Sequence, residues 1–305
     1  MGNAAPDSGR IELRMAAPRT KTERACYPDV KVMAVPMRRS SVLLSMAVLL
    51  WVGLGPVMAQ ERAVTVGVPA GPLAGLVQAL APAFHAETGI AARAAPMGGD
   101  ANPTGVGAQA ILLPKRVLER TQPLGREEPR IIFHGDVILV GSRAERARVR
   151  GLKDIKTALR WIAAARGTYM SSSPALGVRE LELALWDSIG INVQVRSTWY
   201  VESRGDEPSV LREAGLWGAY VLIERMTWAA QTDRRGLEIL VEGDPALRTA
   251  YASHLVREDS PEARAWHDWL ASESARAAIA GFRLNGVRMF TPATGADGDG
   301  SQSRT

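Results

Sequence analysis

Cysteine is almost absent from this sequence, since Cys26 is the only one among 305 residues. It lies in the first 59 residues, so the rest of the chain can form no disulfide and offers no thiol nucleophile and no thiolate ligand for a metal. The absence also excludes attachment of a lipid to a cysteine after residue 59.

Signatures of catalysis are absent as well. The four histidines are far apart, and none pairs with another at the i, i+4 spacing of a zinc-binding helix. No Gly-x-Ser-x-Gly motif occurs, and Gly105-Val106-Gly107 lacks the third glycine of a dinucleotide site. We therefore expect a protein that is not an enzyme and that has no cofactor and no metal site.

Excess positive charge is confined to the N-terminus. The chain has 37 basic and 32 acidic residues, of which residues 1–59 hold eight and four. The remainder is close to neutral, with 29 basic and 28 acidic residues. Because phosphate backbones are bound by net or clustered positive charge, we expect no nucleic-acid partner.

Long apolar runs are absent except for residues 42–58. This run follows Arg38-Arg39, contains Gly53, Gly55 and Pro56, and is followed by Ala59, which is the order of a secretory signal peptide. We predict a signal peptide over residues 37–59 with cleavage after Ala59; a membrane anchor is the weaker alternative. Residues 1–36 are interpreted as an over-extended N-terminus, and the mature protein is expected in the periplasm, not embedded in the membrane.

The remaining sequence alternates between strand-like and helix-like patterns. With 46% hydrophobic and 23% charged residues, it has the composition of a globular protein. Apolar runs at 63–68, 90–94 and 110–113 predict strands, and the spacing of Leu76, Leu80 and Phe84 predicts a helix between the first two. Strand, helix and strand in this order predict a parallel βαβ unit.

Later segments continue the alternation. The predicted strands are 131–141, interrupted at 134–136, and 168–171, 199–200, 219–223, 237–241 and 251–256. The predicted helices are 154–165, 177–190, 208–214, 224–231 and 261–280. We expect an α/β fold with two lobes: residues 60–134 and 255–291 form the first, 135–254 form the second, and 292–305 form a disordered tail. A ligand would lie in the cleft between the lobes, at strand ends and helix N-termini.

Several segments resemble the tungstate-binding periplasmic proteins of ABC importers, within the type II periplasmic binding protein superfamily. They are Gly135-Asp136-Val137-Ile138-Leu139-Val140-Gly141, Glu182-Leu183-Ala184-Leu185-Trp186, Trp199-Tyr200-Val201-Glu202, Gly218-Ala219-Tyr220, Leu237-Glu238-Ile239-Leu240-Val241-Glu242-Gly243-Asp244, Trp269-Leu270, and residues 279–282. The resemblance spans nearly all of the chain after residue 59. It implies a monomeric binding protein with a small-molecule or ion ligand, an oxyanion by family, and an ABC permease as partner.

The resemblance also indicates three ligand segments. The first follows the first strand, the second precedes the helix predicted at 177–190, and the third follows Trp199-Tyr200. Their candidate ligand residues are Pro69 and Ala70, then Ser171, Ser172 and Ser173, then Ser203, Arg204 and Asp206.

All three segments differ from the family pattern. The first lacks hydroxyls, and Pro69 lacks an amide donor. The second has Ser172 at the family's arginine position, and the third brings in Asp206 and Glu207, whose charge repels an anion. We therefore expect altered ligand specificity; the alternative is a non-transport binding or sensor protein of the cell envelope that has lost the oxyanion pocket.

Some of these residues have equally simple structural explanations. Ser173 could cap the helix that follows it, and Arg204 with its two acidic neighbours could form a solvated turn. Arg179 and Glu182 are expected to be an ordinary surface pair.

Overall fold

The computed structural model describes residues 61–98, 102–120, 126–172, 177–195, 197–205 and 207–294, with the backbone alone for Glu207. The predicted signal peptide, the segment before it, and Ser173 and Asp206 among the candidate ligand residues lie outside these ranges.

The predicted βαβ unit is confirmed. Strand β1 (Ala63–Pro69) leads into helix α1 (Pro72–Thr88) and strand β2 (Ala91–Met97), and β1 pairs in parallel with both β2 and β3 (Ala110–Pro114). α1 ends at Gly89, whose φ of 67° lies in the left-handed region that glycine adopts without strain. Helix α2 (Lys115–Arg120), which the sequence patterns did not indicate, follows β3 directly.

Strand β4 (Arg130–Ser142) connects two regions of the main sheet. Its residues 130–136 pair with β9 (Arg248–Leu255), and residues 137–142 pair with β7 (Val221–Glu224) and β8 (Leu237–Val241). The predicted interruption at 134–136 is wrong. Gly135 continues the strand and pairs with Thr249 of β9, and a Cβ there would lie 3.0 Å from Tyr251 Cε2, closer than an ordinary van der Waals contact.

The other elements complete the two regions. They are α3 (Ile155–Ala164), β5 (Tyr169–Ser171), α4 (Val178–Ser188), β6 (Tyr200–Glu202), α5 (Glu207–Trp217), α6 (Arg225–Ala230), a 3₁₀ turn (Pro245–Leu247), α7 (Pro261–Trp269), α8 (Glu273–Gly281), β10 (Arg283–Leu284), β11 (Val287–Arg288) and β12 (Thr291–Pro292). The single helix predicted at 261–280 is wrong, since Ser272 accepts a hydrogen bond from the Ala275 amide and starts a new helix. Residues 291–292, which reach into the predicted tail, pair with β4.

The main sheet has eight strands in the order β12-β4-β9-β3-β1-β2, with β7 and β8 also paired to β4. One apolar core forms where α1, α7 and α8 cover β1 and β9, and its aromatic centre is Phe84 against Trp266 and Trp269. A second core surrounds Tyr169 and Trp186, between α3 and α4. We refer to these two regions as the first and second lobes; the residue limits expected from the sequence stay a prediction.

Candidate functional site

A cleft of about 850 Å³ lies where the two lobes meet. It is lined from the first lobe by the β1–α1 turn, the end of β2 and the β3–α2 junction, and from the second lobe by the start of α4 and the segment after β6. Residues around α6 close one side. The lining residues are mostly glycine, proline and apolar side chains, so backbone groups form much of the polar surface.

Pro69 and Ala70, the candidate residues of the first ligand segment, line the cleft, and their role in ligand binding stays a prediction. They end β1, and the chain then turns through Gly71, whose φ of 129° favours glycine, into α1. No side chain caps this helix N-terminus. Unpaired amide groups and the helix dipole make such a terminus attractive to a negative charge.

The described serines of the second ligand segment are buried and do not line the cleft. Ser171 is fully buried; its Oγ donates to Glu182 Oε2 at 3.0 Å and accepts from Arg179 Nη1 at 2.5 Å. Ser172 is also fully buried, and its hydroxyl has no partner among the described residues. Neither serine lines the cleft, whereas Gly177 at the start of α4 does. The role of these serines in ligand binding stays a prediction.

A buried polar cluster lies beside Ser171. Arg179 Nη2 donates to Glu202 at 2.5 Å, and the Tyr200 hydroxyl donates to Glu182 Oε1 at 2.5 Å. Burial raises the pKa of Glu182 from 4.5 to about 7, although these hydrogen bonds and Arg179 act in the opposite direction. The expectation of a surface pair is therefore wrong, because Glu182 is fully buried and Arg179 is 9% exposed.

The third ligand segment contributes Arg204 to the cleft. Ser203 is buried; its amide donates to the Ser171 carbonyl at 3.0 Å, which ties the second and third segments together. Its hydroxyl accepts from the Gly205 amide at 3.2 Å. Arg204 is exposed and lines the cleft together with Gly205.

The sequence patterns missed one acidic residue in the cleft. Glu224 ends β7, lines the cleft and is only 7% exposed. The hydroxyl of Tyr251, on β9, donates to Glu224 Oε1 at 2.6 Å. Burial raises the pKa of Glu224 from 4.5 to about 7, with the Tyr251 hydrogen bond opposing the shift. One feature of the sequence could have identified it. A charged residue directly follows the apolar run 221–223, which indicates an acid at the end of a buried strand.

Two absences hold for the described ranges. Within them, no three His, Cys, Asp or Glu residues lie close enough together to hold a metal ion. None of the helices in those ranges combines the length and apolar character needed to cross a bilayer.

Comparison with known proteins supports the resemblance drawn from the sequence. The chain is 29% identical over 233 residues to the tungstate-binding protein TupA of Peptoclostridium acidaminophilum, covering 72% of this chain and 81% of that protein. No protein-family model matches the chain.

Solved structures agree with the observed fold. The tungstate-binding protein TupA from Desulfovibrio alaskensis G20 superposes with a TM-score of 0.64 at 24% identity, over 76% of this chain and 99% of that one. The tungstate ABC transporter structure from Geobacter sulfurreducens superposes with a TM-score of 0.61 at 21% identity, over 72% of this chain and 98% of that one. The chain therefore has the two-lobed type II periplasmic binding protein fold, and its resemblance to the tungstate-binding proteins is confirmed.

Proposed function

We propose that this protein is a periplasmic receptor that binds a small oxyanion between its lobes and delivers it to an ABC permease. The observation that carries the proposal is the uncapped N-terminus of α1, whose residues 71–75 line the cleft. Its amide groups and dipole attract an anion. The names of the similar proteins point to the same ligand class and transport system.

We further propose that the ligand is not bound as the family pattern would bind tungstate. Among the described cleft-lining residues, the side-chain donors are Arg204, which is the one cation, the hydroxyl of Thr227 and the amides of Gln78 and Gln231. A desolvated dianion is stabilised by several charge-assisted donors, each contributing about 1.5 to 3 kcal/mol. With so few side-chain donors, we expect weaker tungstate binding or a different preferred anion.

Export accounts for residues 37–59 in this proposal. The signal peptide over residues 37–59 directs the chain to the periplasm, and the receptor acts there as a monomer. Mass spectrometry of the secreted protein tests this step. An N-terminus at Gln60 supports cleavage after Ala59, and a protein that retains residues 37–59 contradicts it.

The ligand is tested by titration of the purified protein with tungstate, molybdate, sulfate and phosphate. Seven of the eight tryptophans follow residue 59, and Trp228 adjoins the cleft-lining Thr227, so fluorescence should report binding. We expect at least one anion to change the fluorescence and raise Tm, because a ligand that binds only the folded state stabilises it. If no anion does either, the proposal is wrong.

The mostly apolar cleft lining favours one alternative. A scaffold that has lost the oxyanion pocket would act as a non-transport binding or sensor protein of the cell envelope. This alternative predicts that every anion in the series leaves Tm unchanged and that deletion of the protein leaves anion uptake unaltered. Binding of any anion at micromolar concentration counts against it.

A further inference from the structure

A buried carboxyl group lies in the cleft beside the proposed anion site. Glu224 lines the same cleft as Gly71 and Gly75 at the N-terminus of α1, and it is 7% exposed. An anion attracted by the amide groups of α1 would therefore share this cleft with the acid. Two negative charges that approach each other there repel, and burial of the acid strengthens the repulsion.

The contacts of Glu224 hold its carboxyl in place and leave one oxygen for a ligand. Oε1 accepts from the Tyr251 hydroxyl at 2.6 Å, whereas Oε2 has no hydrogen bond to any described residue. The neighbouring Arg225 does not neutralise it, because its guanidinium donates to Asp136 at 3.2 Å and to Glu242 at 2.8 Å. Glu224 thus faces the cleft without a cation bonded to it in the described part of the chain.

The elements around this carboxyl carry several charged or titratable groups. They are Tyr251 on β9, His134 on β4 in register with Ala250, Arg225 on α6 with its partners Asp136 and Glu242, and Arg204 in the same cleft lining. Since Arg225 is already paired with two carboxylates, an anion beside Glu224 cannot rely on it for neutralisation.

A shared proton reduces the repulsion. When two acidic groups occupy one site, the pair keeps one proton that neither group would hold alone at the same pH. A carboxyl oxygen and an anion oxygen bridged by this proton form a charge-assisted hydrogen bond, which is short and strong. The proton can come from either partner, so the proton state of the ligand decides whether Glu224 has to supply it.

We propose that anion binding in this cleft requires one proton between Glu224 Oε2 and the anion. Glu224 is thereby a specificity-determining residue that favours oxyanions retaining a proton near neutral pH, the hydrogen phosphate class, over fully ionised ones, the sulfate class. Hydrogen phosphate brings the proton with it, whereas sulfate binds only when Glu224 has taken one from solvent. This inference rests on the anion-binding function proposed above.

Calorimetry on the unmodified protein tests the proton directly. Binding of phosphate and of sulfate is measured at about pH 8, where Glu224 is mostly ionised, in buffers of different ionisation enthalpy. We expect sulfate to take up about one proton per site and hydrogen phosphate to take up none, with phosphate binding about tenfold more tightly or better. Equal affinities without proton uptake overturn the inference.

A variant assigns the effect to Glu224. In E224Q the amide oxygen still accepts from Tyr251, and the amide nitrogen donates to an anion without a bound proton. We expect the proton uptake with sulfate to vanish and the preference for phosphate to fall by about tenfold. The matched control is E128Q, which removes a charge at an exposed position outside the cleft lining and should keep the wild-type preference.

The outcomes distinguish a failure of this inference from a failure of the proposed anion-binding function. If E224Q keeps the wild-type preference and proton uptake, Glu224 is not the selecting group and the inference is wrong. If the wild type binds sulfate and phosphate equally well, the anion-binding function stands and only the inference fails. If the wild type binds no anion, the proposed function itself fails, and the inference fails with it.

Discussion

At the residue scale, Glu182 couples stability to pH. Burial raises its pKa in the folded protein to about 7, above the 4.5 expected when the chain is unfolded. Between these values the folded state binds more protons than the unfolded state, so the contribution of Glu182 to stability is full at low pH and decreases as pH rises through about 7. The loss amounts to at most about 3 kcal/mol.

Replacing Glu182 with Gln should remove this dependence. Gln still accepts from Tyr200, and its amide nitrogen can donate to Ser171 Oγ in place of the bond that Ser171 donates to Glu182, so E182Q keeps both contacts without a titrating charge. Urea unfolding at about pH 5 and about pH 8 should show a smaller loss of stability for E182Q than for the wild type. The control is E128Q at an exposed position, which should lose as much as the wild type. An unchanged loss in E182Q would contradict the assignment.

Individual residues also show what a sequence can and cannot predict. Pro69, Ala70 and Arg204 line the cleft. The sequence could place them there because apolar runs show where strands end and where the loops after them begin. Ser171 and Glu224 were harder to place. Alternation along a strand shows on which face of the sheet a side chain lies, but it does not show which side chain of another element contacts it there. The bond from Ser171 to Glu182 joins residues on β5 and α4, and the bond from Tyr251 to Glu224 joins two strands distant in sequence.

At the scale of elements, the start of α4 lies against the β3–α2 junction. A Cβ on Gly177 would lie 3.0 Å from Pro114 Cβ and 3.1 Å from Val117 Cγ2. The second lobe therefore approaches the first closely at the cleft lining, and we expect closure around a ligand to depend on a residue without a side chain here. The helix pattern alone predicted α4 but gave no reason for glycine at this position.

We expect Gly177→Ala to hinder closure while leaving the fold intact. The added methyl group must displace Pro114 or Val117 by a few tenths of an ångström, at a cost of about 1 to 2 kcal/mol in the closed form. Ligand affinity should fall about tenfold, and Tm without ligand should change by a few degrees at most. The control is Gly281→Ala, where a Cβ meets nothing within 4 Å. Equal affinities for the two variants would show that this contact does not govern closure.

At the scale of the whole molecule, the lobes are joined by β4 and by the chain from β8 to β9. β4 bonds to β9 through residues 130–136 and to β7 and β8 through residues 137–142, so a bend within this strand would move one part of the sheet relative to the other. Across the cleft, Arg120 on α2 forms an ion pair with Glu180 on α4 at 2.8 Å. This pair holds the lobes together away from the connecting strands.

Loss of the ion pair should shift the protein towards an open form. The pair is partly exposed, with the Arg120 side chain at 46% and that of Glu180 at 21%, so its contribution is at most about 1 kcal/mol, or about fivefold in a closing equilibrium. R120Q should therefore raise the ligand dissociation rate by up to about fivefold in stopped-flow fluorescence. Raising the salt concentration should speed release from the wild type and have less effect on R120Q, because screening weakens only the intact pair. Equal salt sensitivity in both proteins would mean that closure depends on the glycine contact and the connecting strands without help from this ion pair.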